Sequence, residues 1–249
     1  MDLGLRDKVC VVTGSTGGIG LATARMLGEE GARVVTSGRR ASGIGELHVA
    51  GDLAQPGEPE RLIGETVARF GRLDVLVNNV GLAYQARFDA LDDAQWDELW
   101  QLNVMSYVRA IRAALPHMRG AGGGVIVNVS SSAGKRPSTG MPNYSVTKAA
   151  VLSLSRLVAD VYGKDGIRCN AVTPGPTATE AWLGEGGLAD QQGGDRDEVL
   201  ARVAAGRPLG RLAVPEEIAA VIVFLCSGRA GYVTGAAWSA DGGTVAIIV

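Results

Sequence analysis

Aromatic residues, cysteine, histidine and net charge are all scarce in this chain, and each shortage removes a class of function. Cys10, Cys169 and Cys226 are its three cysteines, each inside an apolar run and without C-x-x-C spacing. That pattern argues against a disulfide framework or a zinc site and reads as buried free thiols in a reducing compartment. The two histidines, His48 and His117, have no spacing to carboxylates or cysteines that would hold a metal. One falls in a strand pattern, the other near a helix C-terminus. Basic and acidic residues nearly balance at 24 and 26 and are dispersed, so there is no basic stripe for nucleic acid. No apolar run approaches the ~18 residues of a membrane span, and "MDLGLRDKVCVVTG" lacks the regions of a signal peptide. The expectation is a soluble cytoplasmic protein without metal, nucleic-acid or membrane partners.

Glycine, alanine and valine are abundant instead, as suits parallel strands covered on both faces by helices. Short apolar strands alternate with helical stretches along the chain. "VCVVTG", "RVVTS", "LHVAG", "LDVLVNN", "GVIVNVSS", "IRCNAVTPG" and "GAAWSADGG" read as strands. Long helices are expected over about 94–118 and 143–163, and "PEEIAAVIVFLCS" opens a further one with proline and two acids. The order predicts an α/β fold, a doubly wound parallel sheet of about seven strands with helices on both faces, in one domain over residues 1–249. Between the second and third strands "GRRASGIGE" is too short for a crossover helix. The glycine-rich, polar "GEGGLADQQGGDRD" (184–197) reads as a low-order stretch outside the core. It is either plain surface loop or part of a mobile substrate lid over about 180–206.

Two motifs carry chemistry. In "TGSTGGIG" (Thr13 to Gly20), glycines at 14, 18 and 20 allow a tight turn, close approach to a pyrophosphate, and packing of the following helix. In "PNYSVTKAA", Tyr144 and Lys148 lie four residues apart and so share a helix face. A phenol titrates near ~10 and lysine near ~10.4, and a neighbouring cation lowers the phenol toward the range useful for proton transfer. Alone, such a pair is also ordinary on an amphipathic helix.

Together, T-G-x-x-x-G-x-G and Y-x-x-x-K resemble the short-chain dehydrogenase/reductase family over essentially the whole chain, implying a Rossmann-type fold. Other segments stand where that family has motifs: "GDL" with Asp52 and Leu53, "NNVG" with Asn79 and Gly81 and with Val80 in place of alanine, and "TPGPTAT" with Pro174, Gly175, Thr177 and Thr179. The resemblance implies a nicotinamide nucleotide held by these residues, by Gly14, Ser15, Thr16, Gly18, Ile19 and Gly20, and by Tyr144 and Lys148. It also implies a catalytic set. Ser131, thirteen residues before Tyr144 with Ser130 and Ser132 as neighbours in register, binds the carbonyl. Tyr144 donates the proton, Lys148 binds the ribose and, with the positive oxidised ring, depresses the tyrosine pKa, and Asn103 holds a water leading to the lysine.

At the end of the second strand, where NAD-dependent relatives place an acid, stands Gly38, followed by Arg39 and Arg40. Guanidinium groups suit a 2′-phosphate, so NADP is favoured and NAD stays possible, with Gly17 where many NADP-type relatives carry a base. "PLGRLAVPEEIAAVIVFLCS" and "ADGG" are similar to 3-oxoacyl reductases. Only Arg119, Lys164 and Arg168 remain where an acidic acyl carrier protein would dock, which weakens that partner without excluding it. "KRPSTGMP", Tyr84 and "EAWLGEGG" with Trp182 suggest a hydrophobic ketone or alcohol. The expected activity is NADPH-dependent reduction of a 3-oxoacyl or other hydrophobic carbonyl to a secondary alcohol. The alternatives are an NAD-dependent alcohol dehydrogenase working oxidatively and a catalytically silent nucleotide sensor. The two long helices are expected to join subunits into a homotetramer.

Overall fold

Valine-rich runs of four to eight residues form the centre of the molecule. The computed structural model describes residues 2–246. Strands β1 (Val9–Thr13), β2 (Arg33–Gly38), β3 (Leu47–Ala50), β4 (Val75–Asn78), β5 (Gly124–Val129), β6 (Ile167–Pro174) and β7 (Ala237–Ala240) make one sheet in the order β3-β2-β1-β4-β5-β6-β7. Every pairing is parallel, so each strand end that carries a motif points the same way.

Alternation along the strands splits the core in two. From β1, Val11 packs under helices α2 (Glu58–Phe70), α4 (Ser106–Gly120) and α6 (Pro142–Tyr162), with Leu76, Ile126 and Ile167 from neighbouring strands. Cys10 and Val12 face the other side, with Val75, Val77 and Val127, under α1 (Gly18–Glu29) and α10 (Pro215–Cys226). All three cysteines are buried and unpaired, and burial pushes the Cys169 and Cys226 thiols up to about 12. Fully burying one such leucine or isoleucine contributes about 1.5–3 kcal/mol.

Three local features stand out, two of them departures from the expectation and one, the β2–β3 connection, in line with it. The helix expected over 94–118 is α3 (Asp93–Trp100) continued into α4 through a π-helical turn at Gln101–Met105, with Asn103 at its centre. No helix separates β2 from β3, as the short connection requires. The Ser42 hydroxyl instead bonds Thr36 Oγ1 (2.9 Å) and the Ile44 carbonyl (3.1 Å), closing a turn. The stretch 184–197 is not a low-order loop: short helices α7 (Glu180–Leu183), α8 (Leu188–Gln191) and α9 (Arg196–Ala205) run through this region, and Leu188 and Ala189 are buried. Its order comes from polar ties, with Arg196 bonding Asp190 and the carbonyls of Leu183 and Gly184 while Asp195 caps α9.

Candidate active site

The chain leaves β1 and β4 at adjacent positions and runs to opposite faces of the sheet, which opens a crevice at the carboxyl ends of these strands. There a cavity of about 1750 Å³ extends from the glycine turn past Tyr144 to α9.

The glycine turn is built for close approach. Gly14 (φ 63°) and Gly18 (φ 53°) hold backbone angles that other residues rarely adopt. A Cβ on Gly14 would lie 2.8 Å from Val80 Cα, and one on Gly20 would collide with the Gly14 carbonyl. Helix α1 starts here with no acid in its first turn and no side-chain cap, leaving its amino end to attract an anion. The Asn79 amide donates to the carbonyls of Thr13 (3.0 Å) and Gly14 (3.1 Å), and Thr13 Oγ1 accepts from the backbone of Asn79 and Val80. The two motifs are therefore one clasped unit.

Of the residues expected at a nucleotide, Gly14, Thr16, Gly18, Ile19, Arg39, Asp52, Leu53, Asn79, Gly81, Pro174, Gly175, Thr177 and Thr179 line the cavity. Ser15, Gly20 and Arg40 do not. Ser15 is buried and its hydroxyl ties β1 to β2 through Val12, Ser37 and the Ser37 amide, and Gly20 serves helix packing. Gly38 has its own reason to be glycine: a Cβ there would sit 2.5 Å from Thr16 Cγ2.

Tyr144 and Lys148 rise from the first turns of α6, which Pro142 opens. Lys148 is almost wholly buried, donates to the Val129 carbonyl (2.9 Å), and has its Nζ 5.4 Å and 5.7 Å from the Tyr107 and Tyr144 ring centres. Burial pulls the Lys148 pKa down to about 7. Burial also raises the Tyr144 pKa, against a lowering by the Ser131 hydroxyl. Desolvation acts on both groups in the chain by itself; the expected lowering of the phenol needs Lys148 together with an oxidised nicotinamide ring and concerns the loaded site.

The register of the serines is resolved by their bonds. Ser130 is buried and donates to the Lys148 carbonyl (2.7 Å), while Ser131 caps the short helix α5 (Ser132–Lys135) and faces the phenol. Asn103 is fully buried. Its amide exchanges bonds with both backbone groups of Leu82 (2.9 and 3.0 Å) and donates to Thr147 Oγ1 (3.1 Å). Its side chain therefore fixes the "NNVG" loop to α6 first, and a Cβ on Gly81 would touch both Asn103 Oδ1 and Lys148 Nζ.

Several participants were not singled out in the sequence. Tyr107, four residues after Asn103, buries its ring against Lys148 and points its hydroxyl at the carbonyls of Val80 and Val129. That i, i+4 spacing was the available signal. Arg136, Arg202 and Arg207 line the cavity with Trp182, Leu188 and Val203, so its far end is mixed rather than simply apolar. Tyr84 does not line it; its hydroxyl bonds the Gln95 carbonyl and accepts from Asn143, tying the loop to α3 and α6. At the carrier-docking positions, Arg119 pairs with Asp165 and Arg168 is spent on the carbonyls of Leu225, Ser227 and Val233.

Comparison with known proteins agrees with this geometry. A family model described as enoyl-(acyl carrier protein) reductase matches residues 14–245. The chain is 40% identical over 253 residues to cis-4-hydroxycyclohexanecarboxylate dehydrogenase of Sinomonas cyclohexanicum, covering 97% of this chain and 98% of the relative. It is 41% identical over 248 residues to a hydroxy-methyl-oxo-hexahydroindene-carboxyl-CoA reductase of Mycobacterium tuberculosis, covering 93% and 91%. The solved L-sorbose reductase of Gluconobacter frateurii, complexed with NADPH and L-sorbose, superposes with a TM-score of 0.93 at 37% identity over the full length of both chains. With its seven-stranded parallel sheet, clasped glycine turn and Tyr144–Lys148 pair, the chain belongs to the short-chain dehydrogenase/reductase family of oxidoreductases.

Proposed function

We propose that this protein is an NADPH-dependent reductase that converts a ring-bearing or otherwise largely apolar ketone to a secondary alcohol. The observation that carries the reading is the convergence of Ser131, Tyr144 and Lys148 on one wall of a cavity whose other end is the glycine turn.

The cradle fits a dinucleotide: Gly14 and Gly18 line the cavity with backbone angles other residues rarely adopt, at an uncapped helix amino end, while Gly20 packs that helix onto Gly14. Thr16, Ile19, Asn79 and Gly81 would hold its phosphates and ribose, with Thr177 and Thr179 beside the nicotinamide, and Asp52 and Leu53 beside the adenine. The nicotinamide supplies hydride to the carbonyl carbon when bound. NADPH is favoured over NADH because Gly38 carries no acid and Thr16 fills the space beside it. Arg39 at the cavity edge offers a guanidinium to a 2′-phosphate, and the L-sorbose reductase neighbour is a complex with NADPH.

Ser131 donates a hydrogen bond to the substrate carbonyl oxygen, and Tyr144 hands its proton to that oxygen as negative charge develops. A phenol whose pKa burial has raised is protonated at neutral pH, as a proton donor must be. Lys148, buried beside the phenol and held by the Val129 carbonyl, would bind the nicotinamide ribose and, with the oxidised ring, lower the Tyr144 pKa. Asn103 is a positioning residue, holding the loop of Gly81 and Leu82 against Lys148.

Residues 180–206 form the substrate cover, with Trp182, Leu188 and Val203 on its inner side. Two of the three similar proteins, the Sinomonas and Mycobacterium relatives, are named for ring compounds, while the third is an L-sorbose reductase; the first two support a cyclic ketone over a linear 3-oxoacyl chain, and the spent Arg119 and Arg168 count against an acyl carrier. Subunits join through α4 and α6, where Val146, Leu157 and Val161 stand exposed on α6.

Tyr144→Phe is the test. NADPH affinity should hold while turnover of any accepted ketone falls by ~10² or more; near-normal turnover would refute the assignment.

A further inference from the structure

Three arginines line the substrate end of the cavity: Arg136 on the loop between Ser131 and Tyr144, Arg202 on α9, and Arg207 just beyond it. None is within ion-pair distance of a carboxylate among the described residues, whereas Arg61, Arg156, Arg196 and Arg211 are all paired off on the surface. Arg207 is half-buried. Its Nη1 donates to the Val203 carbonyl (2.7 Å), but its Nε is buried without any hydrogen-bond partner. A buried donor left unpaired is costly, while the rest of this guanidinium, protonated at any physiological pH, stays partly exposed at the cavity.

Glu180 is the one carboxylate lining this end, and its side chain lies against Gly184 rather than on any of the three arginines. Asp52 lines the cavity beside Leu53, and Asp97 and Glu98 line it from α3. Within the cover segment, Arg202 and Arg207 outnumber its one cavity-lining acid, Glu180.

Resting on the reductase reading above, we propose that the substrate carries a carboxylate-class anion, received by Arg207 with Arg202 and Arg136, while its apolar body packs on Trp182, Leu188 and Val203. The charged end fixes orientation and the carbonyl at the opposite end of the molecule meets Ser131 and Tyr144. The task of Arg39 is separate, at the glycine-turn end.

The experiment is calorimetric titration of the full chain, saturated with NADP⁺ so that no ketone turns over, with 4-acetylbenzoate and with its methyl ester. The acid should bind at least ~10-fold tighter than the ester. Arg207→Met should weaken the acid by ~10-fold to ~100-fold while leaving the ester and NADP⁺ unchanged. Arg202→Met, at an exposed position on α9, serves as a second variant if Arg207→Met does not fold. Equal affinity for acid and ester, no binding of either, or indifference of the acid to both substitutions overturns the proposal. Acid binding that depends on Arg207, without NADPH oxidation when the same compound is offered to the reduced complex, would instead count against the reductase reading and leave the anion site standing.

Discussion

Replacing Lys148 by methionine should change how stability depends on pH, and the structure sets the direction. The folded protein holds this lysine near pKa 7, against 10.5 for a free side chain, because burial removes water from the ammonium. The unfolded chain therefore binds more protons than the folded one across the window from about pH 7 to 10.5. Stability contributed by this group rises with pH through that window and is flat below it. Between pH 6 and 8.5 the rise amounts to about 2 kcal/mol at 1.36 kcal/mol per pKa unit. Methionine keeps the length and apolar stem, and the Val129 carbonyl retains the Tyr107 hydroxyl. Urea midpoints measured at half-unit steps should rise by roughly 0.7 M or more over this range in the wild type relative to Lys148→Met. The cysteines, whose pKa values burial raises, affect both proteins alike and cancel in the difference. Parallel midpoint curves would show that the lysine is hydrated and charged in the folded state, and its reading as a desolvated group would fall with it.

Other consequences are simpler to score. Arg39→Ala should weaken NADPH by ~10-fold or more and leave NADH nearly unchanged, measured by nucleotide fluorescence; equal affinities in the wild type would refute the preference. Gly20→Ala forces the first turn of α1 off the Gly14 carbonyl, so the melting temperature should fall by an amount matching ~1–3 kcal/mol and nucleotide affinity should drop with it. Leu157→Glu, on the exposed stripe of α6, should split the assembly in sedimentation without unfolding the subunit; a wild type that sediments as a monomer would remove the interface.

The element order was readable because parallel strands buried on both faces must be short and apolar, and the β2–β3 connection of eight residues could hold no helix. What escaped depended on tertiary surroundings. Asn103 reads as a poor helix residue, but the π-helical turn around it follows from its bonds to Leu82 and Thr147, which no local pattern encodes. The polar stretch 184–197 was misread because its order comes from the Asp190–Arg196 ties and a buried Leu188–Ala189 pair, not from amphipathic periodicity. Tyr84, expected to shape the pocket, stands outside the cavity lining and spends its hydroxyl on Asn143 and Gln95. The Tyr144–Lys148 spacing implies a shared helix face, and the structure has the two side chains side by side, while their pKa shifts follow from desolvation that no spacing encodes.

The segment carrying α7, α8 and α9 has a small cluster of its own, Ala189, Val199 and Val203 with Trp182, Leu200 and Leu212, separate from the two cores that hold the sheet. The residues proposed to hold the nucleotide come largely from the first third of the chain, clasped together through Thr13 and Asn79, whereas the proposed cover lies between β6 and α10. On that proposal, much of substrate choice and of cofactor choice falls in different stretches of sequence. A graft of residues 180–207 from a homologue, joined at Thr179 and Pro208, is a natural unit of exchange: it can retune which molecule is reduced while the machinery that supplies the hydride is inherited unaltered.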